Sequence, residues 1–595
     1  MQTKKKSFQP GGYALLITMV FIGITLLLLV SVMSWANSNA KQTHRNNMFN
    51  TSSAAAEAAA EAAVAYMERD FYNQSLNTNA SIYTTNLPSQ TSWPIHFTFS
   101  DTNGTANRIS VSTSPANWTT NIVLLGNQYQ GLFGAVAQCT VIATATPSNQ
   151  LYNVPATVKE EFQLASIPIF QFAIFYNLNM EIDPGAAMSI TGPVFSNGGI
   201  WAGTGNLTFN STVKAVNSIY TSSTNFPDPF GPKSKTDSGL PTFNGGTPLG
   251  GQDALSMPIG TNTSATAVRD LLGLPPTNVV GTSLQGQQYF YNAADLIVSN
   301  SSSGVISNYY RNQDGSLSYI APDVATYTTN GSGSSKTITT NYNNYSFVTN
   351  VSFYDYREGK TVSAVQVDVS ALNKWLTNNT TGIQKNTINN TDKGHAINSI
   401  YVYNNATASS TKLPSVRMVN GSVLPSAGLT VVTPDPLYVL GNYNATGSAV
   451  GTTNTANTAP AALMGDSLTI LSTNWNDSKY TNGYSLSNRN PSATTVNAAA
   501  FEGIVQSTTN DYSGGVENFL RLLENWGSST ALTYNGSIVV MFPSQFATNR
   551  WQQTGNYYNA PKRAWAFDLN FKQQSKTPPL TPSVKALIRQ RWSAY

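Results

Sequence analysis

Tyr13 to Trp35 reads YALLITMVFIGITLLLLVSVMSW, a stretch without a single charge. In a helix, about 20 such residues cross the ~30 Å apolar core of a bilayer, so this segment constrains everything downstream. MQTKKKSFQPGG stands before it, with Lys4, Lys5 and Lys6 as its only charges. No basic residue follows directly. That asymmetry predicts an N-terminus in the cytoplasm and the remaining chain outside. A secretory signal peptide shares the basic start, but its apolar core is about 7–15 residues long and ends in a small-residue cleavage site. Met33-Ser34-Trp35 makes a poor site of that kind. The segment is expected to stay attached as an anchor.

The helix is expected to continue. Asn37 to Phe71 contains no Pro or Gly, and Ala54 to Ala65 is nearly all alanine, with Glu57 and Glu61 one turn apart. Alanine has the highest helix propensity. One unbroken helix from about Tyr13 to about Asp70 would be about 87 Å long at 1.5 Å per residue.

These features carry a resemblance. The basic leader ends at Gly12, an apolar helix begins abruptly at Tyr13, and Ala55-Ala56-Glu57-Ala58-Ala59 lies some forty residues on. In this the chain resembles the type IV pilin-like proteins, in particular the PilX-type minor pilins. The resemblance covers about the first 70 residues. It implies cleavage by a prepilin peptidase between Gly12 and Tyr13 and methylation of the new amino terminus. It also implies the inner membrane, other pilin-like subunits and the pilus assembly machinery as partners. One position departs from the family. Most pilins carry Glu at the fifth mature position, thought to pair with a neighbouring subunit's terminal amine; here Ile17 stands there. A buried charge must be paired, and this subunit cannot supply the pairing carboxylate. That suits a subunit at a filament tip, as in the general secretion K pseudopilin, or an anchored protein outside any filament. An ordinary signal anchor is the alternative.

Beyond the helix the pattern turns to β. Ile95–Phe99, Arg108–Ser112 and Ala135–Ala143 alternate apolar and polar residues between Asn, Gly, Pro and Ser, as half-buried strands do. A small antiparallel sheet packed on the helix is expected over 71–165. In 166–220, apolar residues at Ile182, Met188, Ile190, Val194, Ile200, Leu207, Phe209, Val213 and Ile219 recur at short, irregular intervals. Short strands separated by tight turns fit β-helix-like coils, each stacked on its neighbours; a β-sandwich is the competing arrangement. The same texture returns over 416–595. Between them, 221–415 reads as a large, partly loop-rich insertion, with runs such as TYTTNGSGSSKTITTNYNN and with ordered pieces, a short helix over Ala267–Leu274 and strands over Val362–Val369 and Ser399–Tyr403. Helical spacing in Gly514–Trp526 and in Pro582–Tyr595 predicts C-terminal capping helices. The expected fold class is mainly β with a long N-terminal α-helix: a pilin-like helix and sheet, then a β-helix-like region with an insertion.

Composition narrows the function. Only 10% of the 595 residues are charged, against about 25% in ordinary soluble domains. The formal net charge of +4 would fall to +1 without the three leader lysines. No basic face for nucleic acid is evident. Cys139 is the single cysteine, so no internal disulfide can form; it is expected to be a small buried hydrophobe. His44, His96 and His395 are scattered, and neither phosphate loop nor nucleophile elbow is present. Glu181, Asp183, Asp435, Asp466 and Glu502 each sit singly beside turns, where acids mostly bond local backbone. No metal, cofactor or enzymatic activity is expected. The expected function is a membrane-anchored minor subunit, or a structural protein of the cell surface or pilus tip, in a type IV pilus or related filament. The alternatives are an adhesin or carbohydrate-binding protein on the same anchor, for which the 29 Tyr and 10 Trp argue, and a β-helix carbohydrate-active enzyme.

Overall fold

The computed structural model describes residues 13–595 apart from 74, 77–78, 115–120, 127–128, 149, 204, 222–238, 258–263, 331–335, 378–394, 508–512 and 552–556. The leader with Gly12, and most of the Pro/Gly-rich stretch after Thr221, lie outside the described residues. A single helix, α1, runs from Tyr13 to Tyr72, about 90 Å at 1.5 Å per residue. Its buried residues Ser52, Ala55, Ala56, Ala59, Ala60, Ala63, Val64 and Met67 recur at three and four. They form one stripe against the sheet.

That sheet contains β1 (Phe97–Ser100), β2 (Ser110–Ser114), β3 (Asn121–Leu124), β4 (Phe133–Pro147) and β5 (Ala156–Pro168). The first three pair antiparallel along one edge of β4, and β5 pairs along the other. Ala137, Cys139, Val141 and Ala143 of β4 face the helix with Phe162 and Leu164 of β5. Small residues on both sides let the backbones approach closely.

The outer edge of β5 is covered by the chain's last strand. Ser583–Ala594 runs antiparallel to β5, from Ser583 opposite Pro168 to Ala594 opposite Val158. The helix expected at Pro582–Tyr595 is therefore a strand. Val584, Ala586 and Ile588 are buried at a spacing of two, and Val584 with Ile588 alone also satisfies a helical spacing of four. A ladder on an open strand edge decides between the two.

Everything between Pro168 and Pro582 leaves this sheet and returns to it. The chain turns through parallel coils: Ile174–Tyr176, Val194–Ser196 and Val213–Ala215 lie side by side. One coil takes 20 residues from Ile174 to its partner Val194, and the next takes 19. Two further columns repeat the step, Met180–Ile182 on Ile200–Ala202 and Met188–Ile190 on Leu207–Phe209. The chain then restarts at the far end of the stack with Leu296–Asn300. It winds back through Ser399–Asn404, Leu429–Val432, Ala461–Gly465 and Ala499–Ile504 to Ile538–Pro543, which pairs parallel with Ile174–Tyr176. Two runs of coils thus meet in one sheet. A second column passes through Lys360–Asp368, Lys412–Val419, Leu437–Leu440, Leu468–Leu471 and Arg521–Leu522.

Stacked side chains mark the coil repeat. Phe175 lies on Phe195 (5.8 Å, 11°), Phe209 on Phe243 (5.2 Å, 5°) and Trp201 on Tyr220 (5.2 Å, 22°). Asn535 donates to Asn497, and Asn497 to the Asn444 carbonyl, one coil after another.

Two further expectations are corrected here. Strands do lie at Lys360–Asp368 and Ser399–Asn404, where two were expected, but 221–415 is not simply an insertion, because these two together with Leu296–Asn300 and Lys412–Val419 are coil strands. The run read there as loop-like holds two strands, Val324–Asn330 and Thr337–Asn344, paired antiparallel; its alternating, β-branched threonines favour that conformation. Gly514–Trp526 is no helix either. Val516–Asn518 forms one 3-10 turn and Arg521–Leu522 a coil strand. Both faces of this segment are buried, Glu517, Arg521 and Glu524 included, so no solvent-facing side exists for an amphipathic helix.

Candidate functional site: the bare half of the N-terminal helix

Residues 13–47 of α1 are all exposed, a projection of about 53 Å. The first side chains to meet the body are His44 and Arg45, which approach the Tyr152 ring at 5.4 and 5.1 Å. Three hydroxyls within the apolar segment are satisfied internally. Thr18 donates to the Ala14 carbonyl, Thr25 to Phe21 and Ser31 to Leu27, each at 2.8 Å. An apolar helix whose polar atoms bond their own backbone suits a medium without water.

Tyr13 opens the helix, and Ile17 lies on it half-exposed. The first carboxylate of α1 is Glu57, so the bare half offers no anion for a neighbouring cation. The Ala55–Ala59 signature splits by face. Ala55, Ala56 and Ala59 are buried against the sheet, Ala58 is half-buried, and Glu57 points to solvent. Its alanines act as packing residues.

The C-terminal strand fixes the packed half. Arg589 grips Glu61 with two hydrogen bonds, 2.7 and 2.8 Å, and reaches Glu160 of β5 at 3.1 Å. Burial and the neighbouring Glu61 push the Glu160 carboxyl up to about 7, against the pull of Arg589. Lys585 donates to the Phe71 carbonyl at 2.5 Å, where the helix ends and its dipole is negative. Burial lowers its ammonium to about 8. The buried Cys139 thiol is pushed up to about 12.

The acids singled out in the sequence are placed inside the stack. Asp435, Asp466 and Glu502 sit on neighbouring coils, and all three are buried. Asp466 accepts from the backbone N–H groups of Gln545, Phe546 and Ala547. Asp435 accepts from that of Asn404 and is pushed by burial to about 7. Burial raises the Glu502 carboxyl well above its usual range. Asp183 is half-buried, and its backbone N–H donates to the Glu517 carboxylate. Among the described residues no group of three or more His, Cys, Asp or Glu could hold a metal ion. Sequence reasoning missed Arg589 and Lys585 as the clasp on α1; the period-two burial of Val584, Ala586 and Ile588 was the available signal.

These features define a mainly β protein on one long N-terminal helix whose first half is bare. No family model matches the chain, and no curated protein matches it. Among solved structures, the competence-associated pilin ComZ from Thermus thermophilus aligns with 92% of this chain and 98% of its own, at 11% identity and a TM-score of 0.29.

Proposed function

We propose that the protein is a membrane-anchored, pilin-like minor subunit of the PilX type, carried at the cell surface or at the tip of a type IV pilus or related filament. The observation that supports this reading most is the bare half of α1, an exposed helix without a charge from Tyr13 to Ala40, in which the Thr18, Thr25 and Ser31 hydroxyls bond the helix's own backbone. Size supports a minor role: a body of over 500 residues beyond the helix would crowd the closely spaced heads of a packed filament. Ile17, in place of a carboxylate, fits a position with no neighbour's amine to neutralise. A prepilin peptidase, the inner membrane and other pilin-like subunits are the partners on this reading.

Mass spectrometry of the protein purified from membranes tests it. The expected product begins at Tyr13 and carries one methyl group on its amine. A chain still beginning at Met1 would overturn the reading.

A further inference from the structure

Val324–Asn330 and Thr337–Asn344 form a two-stranded ribbon that pairs with no other described strand. Its register gives it two unlike faces. Thr326, Thr328, Thr339 and Asn341 alternate along one side, and this side ties the ribbon together. Thr326 donates to the Asn341 carbonyl at 2.9 Å, Thr328 to the Thr339 carbonyl at 3.3 Å, and the Asn341 amide to the Thr328 hydroxyl at 3.3 Å. The opposite face follows from the pairs Ala325–Tyr342, Tyr327–Thr340 and Thr329–Ile338, since directly opposed residues share a face. It carries Tyr327, Tyr342 and Ile338, which are 70%, 57% and 58% exposed. No ring or hydrogen-bond contact is recorded for either tyrosine within the described residues.

Three large apolar side chains in water on one side of a ribbon are a cost without a folding return, because two-stranded hairpins are marginal on their own. What covers them is constrained by size and charge. The face is about 20 Å long and 10 Å wide at ordinary strand spacings, roughly 200 Å². A stable protein interface needs about 800 Å² on each partner, which leaves a second copy or another protein poorly served by this face alone. Neither strand carries a charge outside the turn, so nothing steers an acidic or basic partner here. Tyr327 and Tyr342 are diagonal neighbours, about 7–8 Å apart, with threonine hydroxyls beside them. Flat apolar rings with hydroxyls at their rim suit one chemistry, the alternating apolar faces and hydroxyls of a sugar chain.

We propose that this aromatic face is a binding strip for a neutral polysaccharide. The strip is independent of the anchor, since a chain that retained Met1 would still present it.

Isothermal titration of the full chain, held in a detergent without a sugar headgroup, tests the proposal. The probes are cellohexaose, xylohexaose, mannohexaose and chitohexaose, with hexagalacturonate as the charged control. At least one neutral hexasaccharide is expected to bind, and Tyr327→Ala/Tyr342→Ala to weaken it by about tenfold or more. Both residues are in solvent, so the melting temperature should not move. Thr326→Ala, on the opposite face, should bind as the parent does. Silence with all four neutral probes, parental affinity in the double variant, or tighter binding of hexagalacturonate would each overturn the proposal. So would a concentration-dependent dimer abolished by the double variant, which would assign the face to a second copy.

Discussion

Glu160 shows how burial and pairing compete at one residue. Its carboxyl reaches Arg589, yet burial and the nearby Glu61 and Glu57 outweigh that partner and hold it protonated up to about pH 7. The folded chain therefore binds this proton more tightly than the unfolded chain, whose carboxyl titrates near 4.5. The stability linked to it is complete below pH 4.5 and is lost as pH rises from there through about 7. Asp435 and Glu524, both raised to about 7 mainly by burial, act in the same direction. Thermal melts should give a higher midpoint at pH 5 than at pH 8. Glu160→Gln, which mimics the protonated acid, should lose on the order of 1 kcal/mol less than the parent across that range. An equal slope in both proteins would refute this account. Arg521 presents the opposite balance. It is buried, ion-paired with Glu358, and donates to the Ala547 carbonyl at 2.8 Å. Arg521→Met would strand the Glu358 carboxylate in the interior, a loss of about 3–5 kcal/mol. Arg521→Met/Glu358→Leu should recover more than half of it in urea titrations.

At the scale of elements, the coils depend on corners where backbones nearly touch. Gly536 joins the strands Ala531–Gly536 and Ile538–Pro543, and a Cβ there would overlap the Ala498 carbonyl of the preceding coil. Gly536→Ala should cost about 1–3 kcal/mol by overpacking. Gly185→Ala, with open space around it, should stay within about 0.5 kcal/mol. Comparing the two melts separates crowding from a general intolerance of alanine. The same coils show what could be read beforehand. Met188-Ser189-Ile190 points in, out and in, and that alternation is visible in the residues. Phe175 on Phe195 is not, because partners 20 residues apart carry no local signal. The ribbon at Val324–Asn344 was hidden by its polarity, since Thr and Asn mark loops by composition although Thr favours strands by shape. Gly514–Trp526 misled for another reason: its apolar spacing fits a helix, but Arg521 and Glu524 are also buried, held by Glu358 and Ser472.

The whole molecule is closed by its last strand. The long helix was legible from composition, and β1, β2 and β4 from alternation. That the coil stack both leaves and re-enters the same sheet was not legible, because it rests on a contact between residues more than 400 positions apart. Ser583–Ala594 covers the edge of β5, Arg589 clamps Glu61 and Glu160, and Lys585 caps α1 at Phe71. The stack and the helix are thus joined twice, through the β5 exit and through this strand. Two connections in one sheet couple their unfolding; one would let the parts melt separately. Deleting residues 583–595 opens β5 as a bare edge and leaves the end of α1 uncapped. The intact protein should melt in one transition, seen alike by far-ultraviolet circular dichroism and by tryptophan fluorescence. The shortened chain should melt in two, with helix signal lost in the earlier step and the coils, rich in buried aromatics, in the later one. A single coincident transition at the parental temperature would show that the strand is a cover for β5 and not the tie that makes the molecule one cooperative unit.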